Sequence, residues 1–451
     1  MSGLVRCTPP QAAIPGALVA AGPHRIRGVL AAQGARGARC AGALRAGVRV
    51  LAIAAAFLIG GCGGKPDTNE IIIWDQMDPS ESALLLEHIE TYEAAHPGVR
   101  ILRSQYENEV LRTQFQTAAT AGGGPDLVYG PSDVVGPFSI LRIVRALDEI
   151  IPAAKLARFH AASFDTLDGH IYALPDQLGN HLALIHNKKL LERPPEDLDQ
   201  LARVAQRLTV DADDDGRPES FGLVYNTSEP FWLVPFLGAF GGWVMDAASR
   251  PTLESQAMRD ALTYLVRLKN ELGVVPRECD AQLADTMFKE GKAAMIINGP
   301  WSWEAYRRAG IDIGIARIPR HRGSGRWATP MVGSKGYSVN ANVPESKLPQ
   351  VLDLLDYLTS PEVTAAYARL LILPSRLEAL QAPQVLEEPL LEASRAQYDV
   401  GRRMPVAPEM RAVWDAMRSP LQLVMNGKLD PASAARRMQE DAVEKIASMK
   451  R

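Results

Sequence analysis

Between Glu70 and Tyr129 strand-like and helix-like patterns alternate, and this alternation restricts the fold more than any other feature of the chain. Glu70-Ile-Ile-Ile-Trp74 is a β-branched run of the buried kind. After a turn at Asp78-Pro79-Ser80, the residues Leu84, Leu85, His88, Ile89 and Tyr92 fall at helical spacing. They predict a helix from Ala83 to His96 that Pro97-Gly98 stops. Val99-Arg-Ile-Leu102 reads as a second strand, and a second helix runs through Ala119. Gly122-Gly-Gly-Pro125 breaks that helix, and Asp126-Leu-Val-Tyr129 is a third strand. This β-α-β-α-β order predicts a parallel sheet with helices on both faces. Ligands of such sheets bind beyond the carboxyl ends of the strands, so the turns after Trp74 and Tyr129 are the first places to look for contacts.

The second half of the chain repeats this style without repeating the sequence. Ala257 to Leu272 is amphipathic and helical, and Met287-Phe288-Lys289-Glu290-Gly291 closes another helix. Lys292 to Asn298 is a strand that turns through Gly299-Pro300-Trp301 into a helix, with the proline near the helix start, where a missing N–H costs nothing. Leu348 to Leu358, Pro361 to Leu371 and Ala432 to Met449 are further helices. No short-period repeat or low-complexity tract interrupts them. With 47% hydrophobic and 22% charged residues in 451, the chain is neither disordered nor a multi-span membrane protein by composition. A formal net charge of -3 gives no reason to expect nucleic acid as a partner.

The charge is unevenly spread. Residues 1–64 hold seven arginines, no lysine and no acidic residue, and so form a basic leader on an acidic body. Val50 to Gly60 is an uncharged run of eleven residues behind Arg45 and Arg49. It is too short to span a bilayer comfortably, which takes roughly 20 residues, and fits the apolar core of a secretory signal. Ile59-Gly-Gly-Cys62 resembles a bacterial lipobox, which implies cleavage before Cys62 and lipidation of its sulfur; the alternative is an ordinary signal with an incidental cysteine. Residues 1–61 are therefore expected to be a leader and 62–69 a lipid-anchored tether. With Cys7 and Cys40 removed and Cys62 acylated, Cys279 has no partner, so no intrachain disulfide is expected and Cys279 reads as a buried or idle thiol.

Several segments, in chain order, resemble one family: the solute-binding proteins of bacterial ABC importers, in the sugar-binding group typified by maltodextrin-binding protein. The segments are Ile71-Ile-Ile-Trp74, Ala118 to Asp126, Asp168-Gly-His-Ile-Tyr-Ala-Leu-Pro175, Leu184-Ile-His-Asn-Lys188, Glu229-Pro-Phe-Trp232, Phe288 to Trp301, and Met404-Pro405 with Pro408 and Trp414. The run Phe288-Lys-Glu-Gly-Lys-Ala-Ala-Met-Ile-Ile-Asn-Gly-Pro-Trp301 is the most specific. The resemblance implies an α/β fold of two discontinuous lobes, like the periplasmic binding proteins, joined by a hinge. The chain would cross near Leu178-Gly179, near Gly333 to Asn340 and around residues 385–392. Residues 70–178 with 335–388 would form the first lobe, and 179–334 with 389–451 the second. It also implies a protein secreted across the cytoplasmic membrane, lipid-anchored in the periplasm or at the cell surface. Such a protein acts as a monomer without a cofactor and delivers a carbohydrate to membrane permease subunits.

Carried over by position, the candidate sugar contacts are Asp78 and Asp133 on loops after strands, Asn180 past the first crossover, Glu229 and Phe231 at a helix start, Trp301, and Trp414 with Arg418 one turn later. Gln76 joins them from its place in the first loop, and Trp243 from its place after Gly241-Gly242. A sugar offers flat apolar faces and a rim of hydroxyls, which aromatic rings, short carboxylates and amides, and a forked guanidinium can meet. One of Phe231 and Trp232 is expected to serve the core, as is Trp303. The family type has an aromatic at Gly130, Arg at Val134, Lys at Pro79 and Glu at Asn180. These departures leave a smaller or differently linked sugar as good a fit as a long maltodextrin. Asp211, Asp213 and Asp215 with Gly216 have the spacing of half a calcium loop, but Gly222 stands where its glutamate belongs, so the alternative is a solvated acidic turn. Two other functions compete with sugar capture: a secreted glycoside-processing enzyme, and a binder of a polyol or glycerol phosphate. No HExxH, GxSxG, P-loop or CxxC pattern supports an enzyme.

Overall fold

The computed structural model describes residues 69–449. Cys62 and the leader lie outside the described residues. The alternating start is present as β1 (Glu70–Asp75), α1 (Pro79–Ala95), β2 (Arg100–Gln105), α2 (Asn108–Thr120) and β3 (Leu127–Pro131). Helix α1 begins at Pro79 rather than at Ala83. Proline fits the first helical position, and Glu81 Oε2 accepts the Asp78 backbone N–H at 3.2 Å, which closes the turn.

The chain continues through β4 (Leu174–Leu178), β5 (Ala183–Asn187), α3 (Leu198–Leu208), β6 (Phe221–Val224), α4 (Pro230–Ala239), α5 (Gln256–Val266), α6 (Ala281–Lys289), β7 (Ala293–Asn298), α7 (Pro300–Arg308) and β8 (Ile313–Ala316). It then forms β9 (Met331–Val332), β10 (Ser334–Val339), α8 (Leu348–Leu358), β11 (Leu373–Pro374), α9 (Pro389–Tyr398), β12 (Arg402–Arg403), α10 (Glu409–Met425) and α11 (Pro431–Met449). One sheet has the order β11-β4-β10-β3-β1-β2 and the other β8-β5-β7-β6.

Both sheets are mixed, where the alternation alone predicts parallel ones. β1 runs parallel to β2 and β3, but β10 is antiparallel to β3 and β4, and β5 is antiparallel to β7 and β8. The reason is the path of the chain. A strand arriving from the other sheet enters at the end where its neighbours finish: Lys335 of β10 lies opposite Pro131, and Ala183 of β5 lies opposite Asn298. The two crossings meet at Gly333, whose carbonyl accepts the N–H groups of Gly179 at 3.0 Å and Asn180 at 3.1 Å. Gly179 has φ +84°, and a Cβ there would lie 2.8 Å from His181 Nδ1, so only glycine fits this joint.

Most of each sheet packs on a core of its own, while Leu178 and Leu373 of the first sheet join the core of the second. Ile71, Ile73, Leu85, Ile89, Leu354 and Leu355 cover one face of the first sheet, and Leu111, Phe115, Val128 and Phe138 cover the other. Leu184, Ile185, Leu223, Phe236, Leu262, Met295 and Trp303 fill the second lobe, and Val413, Met417 and Met438 bring α10 and α11 into it. Among the described residues no helix is long and apolar enough to cross a membrane.

Candidate functional site

A cavity of about 840 Å³ opens between the lobes, beyond the carboxyl ends of β1, β2 and β3 on one side and of β6 and β7 on the other. Its size is that of a small-ligand site. Nine of the ten sequence candidates line it: Gln76, Asp78, Asp133, Asn180, Glu229, Phe231, Trp301, Trp414 and Arg418. Gln76, Asp78, Asp133, Asn180, Glu229, Phe231 and Trp301 reach it from a turn after a strand or from the helix that begins there, and Trp414 and Arg418 reach it from α10.

The second-lobe wall is aromatic. Pro230 starts α4 and Pro300 starts α7, and each fixes the entry of the helix that carries its rings. The Phe231 ring centroid lies 6.5 Å from that of Trp301 and 6.4 Å from that of Trp414. Trp232, 6.5 Å from Trp301, also faces the cavity, and its indole N–H donates to the Ile297 carbonyl at 2.8 Å. Phe231 and Trp232 thus both line the cavity and both pack on the core, where only one was expected to serve the core. Trp303, two residues past Trp301, is fully buried, as its spacing suggests.

The first-lobe wall is polar and partly unsatisfied. Gln76 Nε2 and Asp133 Oδ1 are buried atoms without a hydrogen-bond partner, a state that buried polar groups seldom keep. Burial pushes the Asp78 carboxyl up to about 6, with Lys335 opposing and Glu81 and Asp285 adding to the rise. Burial likewise pushes Asp133 up to about 6, with Glu109 adding to it. Asp133 keeps one oxygen, Oδ1, free to accept, while Asp78 accepts the N–H of Glu81 at the start of α1. Glu229 and Arg418 are instead committed to each other: Arg418 Nε donates to Oε1 at 2.9 Å and Nη2 to Oε2 at 3.1 Å. The fork expected for a ligand is closed on Glu229, which orients that carboxylate at the cavity edge.

Trp243 is the exception. It is 7% exposed within the second-lobe core, does not line the cavity, and lies under the Arg402 guanidinium at 4.6 Å. Gly241, at φ +88°, ends α4 in the left-handed conformation and folds the chain back on itself, which turns Trp243 inward. Gly130 provides no platform; it borders a void of only about 10 Å³. Asp211, Asp213 and Asp215 bring their carboxylates within 4.8 Å of one another, away from the cavity. They accept loop N–H groups, as Asp211 Oδ2 does from Gly216 at 2.9 Å, while Asp211 Oδ1 is buried without a partner, an arrangement that an acidic turn and half a calcium loop share. Cys279 is free and buried, and burial pushes its thiol up to about 12.

The sequence reading missed Tyr106 and Glu107, which line the cavity just past β2. The strand-end rule applied to β2 would have found them. It also missed Lys335, whose place depends on strand pairing far apart in the chain.

The two lobes also touch beside the cavity. Ser80 Oγ donates to Glu304 Oε2 at 3.0 Å and accepts from Arg308 Nη2 at 2.8 Å, which joins α1 to α7. On the other side Arg411 of α10 pairs with Glu109 of α2 at 2.8 Å. Burial alone would raise Glu109, but hydrogen bonds from Arg411 and Arg112 hold its carboxyl below the usual value.

Residues 87–393 match the family model described as bacterial extracellular solute-binding protein. The maltose/maltodextrin-binding domain MalE from Bdellovibrio bacteriovorus, solved bound to maltotriose, is 42% identical. That match covers 84% of this chain and 100% of the other, with a TM-score of 0.82. The maltotriose-binding protein of Pyrococcus abyssi is 27% identical over 373 residues, 81% of this chain and 79% of that protein. A maltooligosaccharide ABC transporter solute-binding lipoprotein of Streptococcus pneumoniae is 24% identical over 328 residues, 70% of this chain and 75% of that one. The chain belongs to the bacterial extracellular solute-binding proteins.

Proposed function

We propose that the chain is the sugar-capturing component of a bacterial ABC importer, and that it holds a short maltooligosaccharide between its lobes for delivery to permease subunits. One observation carries the reading. Aromatic rings of one lobe face a carboxylate oxygen and an amide nitrogen of the other, Asp133 Oδ1 and Gln76 Nε2, that lack protein partners, across a cavity in a chain 42% identical to a protein bound to maltotriose. The rings suit the apolar sugar faces, and Gln76, Asp78, Asp133 and Asn180 suit the hydroxyl rim. A ligand that touches both lobes favours the arrangement in which they meet around it.

As a member of an extracellular family the protein acts outside the cytoplasm. A lipid anchor on Cys62 would keep it at the membrane, and the pneumococcal relative is a lipoprotein.

Thermal melting against maltose, maltotriose, longer maltodextrins, galactooligosaccharides, glycerol and glycerol phosphate tests the reading. At about 100 times its dissociation constant a true ligand stabilises the fold by about 2.7 kcal/mol. A maltooligosaccharide should raise the melting temperature most. A larger rise with glycerol phosphate, or none with any sugar, would sink the proposal. Recovering the bound sugar intact separates capture from hydrolysis; shortened products would favour the glycosidase alternative.

A further inference from the structure

We infer that Lys335 is a ligand-contacting residue of this site: its ammonium group donates a hydrogen bond to a hydroxyl of the sugar seated on Trp301, and so takes part in choosing the sugar. The inference rests on the sugar-binding reading above.

Lys335 is the residue at which the pairing of β10 with β4 loses its register. Lys335 lies opposite Gln177, and the next residue, Gly336, lies opposite Pro175. Such irregularities commonly redirect a side chain next to a site. The strands approach so closely here that a Cβ on Gly336 would come within 2.4 Å of the Leu174 carbonyl oxygen, so the irregularity is fixed by a residue that only glycine can replace. The Lys335 side chain lines the cavity, with Nζ 6.0 Å from the centre of the Trp301 ring on the opposite lobe.

The ammonium group is firmly held. Nζ donates to Glu81 Oε1 at 2.9 Å and to Oε2 at 3.0 Å. Glu81 also accepts from Gln177 Nε2 at 3.0 Å, and Gln177 Nε2 donates to the Tyr129 hydroxyl at 2.8 Å. Of the three N–H bonds of the ammonium, two are matched by Glu81, which leaves one for the cavity. Burial would lower the lysine, but Glu81 and Asp78 raise it above its usual value, so it stays charged. Among the cations near Asp78, Lys335 acts on it most, and Pro79 beside Asp78 carries no charge.

A purely structural role explains this poorly. A buried ion pair is seldom more stabilising than a well-packed apolar pair of the same volume. Here the pair sits at the wall of a ligand cavity, with a spare donor next to an aromatic platform. That is the arrangement of a positioned ligand contact with its supporting shell.

The test uses the purified protein, maltotriose and the set of monodeoxy maltotrioses. Lys335→Met alone leaves the buried Glu81 carboxylate without its cation, so Glu81→Gln with Lys335→Met serves as the second variant and removes both charges. The double variant should melt cooperatively and bind maltotriose about tenfold more weakly than wild type. One monodeoxy analogue should bind wild type about tenfold more weakly than maltotriose does, yet bind the double variant as well as maltotriose does. A folded double variant with wild-type affinity overturns the assignment. So does an equal loss for every deoxy analogue in wild type and variant, because a structural role would weaken all ligands alike. A wild-type protein that binds no maltooligosaccharide overturns the sugar reading itself, and the assignment with it.

Discussion

Trp301 and Trp303 should separate binding from stability within two residues of sequence. Trp301 stands half-buried on the cavity wall, and Trp303 is fully buried with its indole N–H directed at the Asn298 carbonyl, 3.3 Å away. Truncating a well-packed aromatic contact commonly costs about 2 kcal/mol or more, so Trp301→Ala should weaken maltotriose binding at least ~25-fold. Trp303→Ala should cost about 3–5 kcal/mol of stability, read by chemical denaturation. If Trp303→Ala folds normally and loses the ligand while Trp301→Ala binds as wild type, the platform is misassigned.

Asp78 and Asp133 give a pH dependence with a definite sign. Folding raises both carboxyls from the ordinary 3.8 to about 6, so ionising them opposes the fold. Each thus lowers the stability of the free protein as the pH rises from about 4 through 6. A hydroxyl donated to either carboxylate favours the ionised form. Affinity for a neutral sugar should therefore climb with pH through about 6, by up to tenfold per unit for each group, and level off above about 7. Asp78→Asn with Asp133→Asn should flatten that profile; an unchanged profile would mean that other groups titrate with the ligand.

These residues were named from the family resemblance, at positions that fall on turns after strands. Lys335 was not, because its place is set by a register shift against β4, far away in the chain. Trp243 was misread because two glycines mark a turn without saying on which side of it the next ring falls.

At the scale of elements, the contacts of α1 with α7 and of α2 with α10 bridge the lobes, and Glu109 of the second bridge also lines the cavity. Arg308 and Ser80 act with Glu304 on one side, and Arg411 acts with Glu109 on the other. Partly exposed pairs of this kind are worth about 0.2–1 kcal/mol each. Ser80→Ala combined with Arg411→Ala should favour separated lobes: a larger radius of gyration without sugar, and about threefold to tenfold weaker binding with it. A variant that keeps the wild-type radius and affinity would show that the bridges do not bias the lobes. The helices and strands themselves were read closely from period and breakers, since Pro79, Pro300 and Gly122-Gly-Gly-Pro125 act locally. Strand direction was not, because it depends on which strands arrive from the other sheet, as β5 and β10 do.

At the scale of the whole molecule, the two lobes are joined where Gly179, Asn180 and Gly333 share hydrogen bonds, and Leu178, Leu371 and Leu373 pack with the core of the second lobe. Two lobes on such a joint can change their angle while the sheets within them keep their packing. The lipobox-like Ile59-Gly-Gly-Cys62 carries the proposal of a lipid anchor. Cys62→Ser should abolish membrane association and signal processing in a bacterial host, followed by fractionation and mass of the mature chain. Wild-type protein that is processed, soluble and unlipidated would contradict the anchor.

The central claim, that the interlobe cavity is a sugar site, is tested most directly by calorimetric titration of the purified protein with maltotriose. The expected result is saturable binding of one sugar per chain with a dissociation constant of about 1 μM or tighter, equivalent to roughly -8 kcal/mol. The absence of any saturable heat up to millimolar maltotriose, in protein that melts cooperatively, would contradict it.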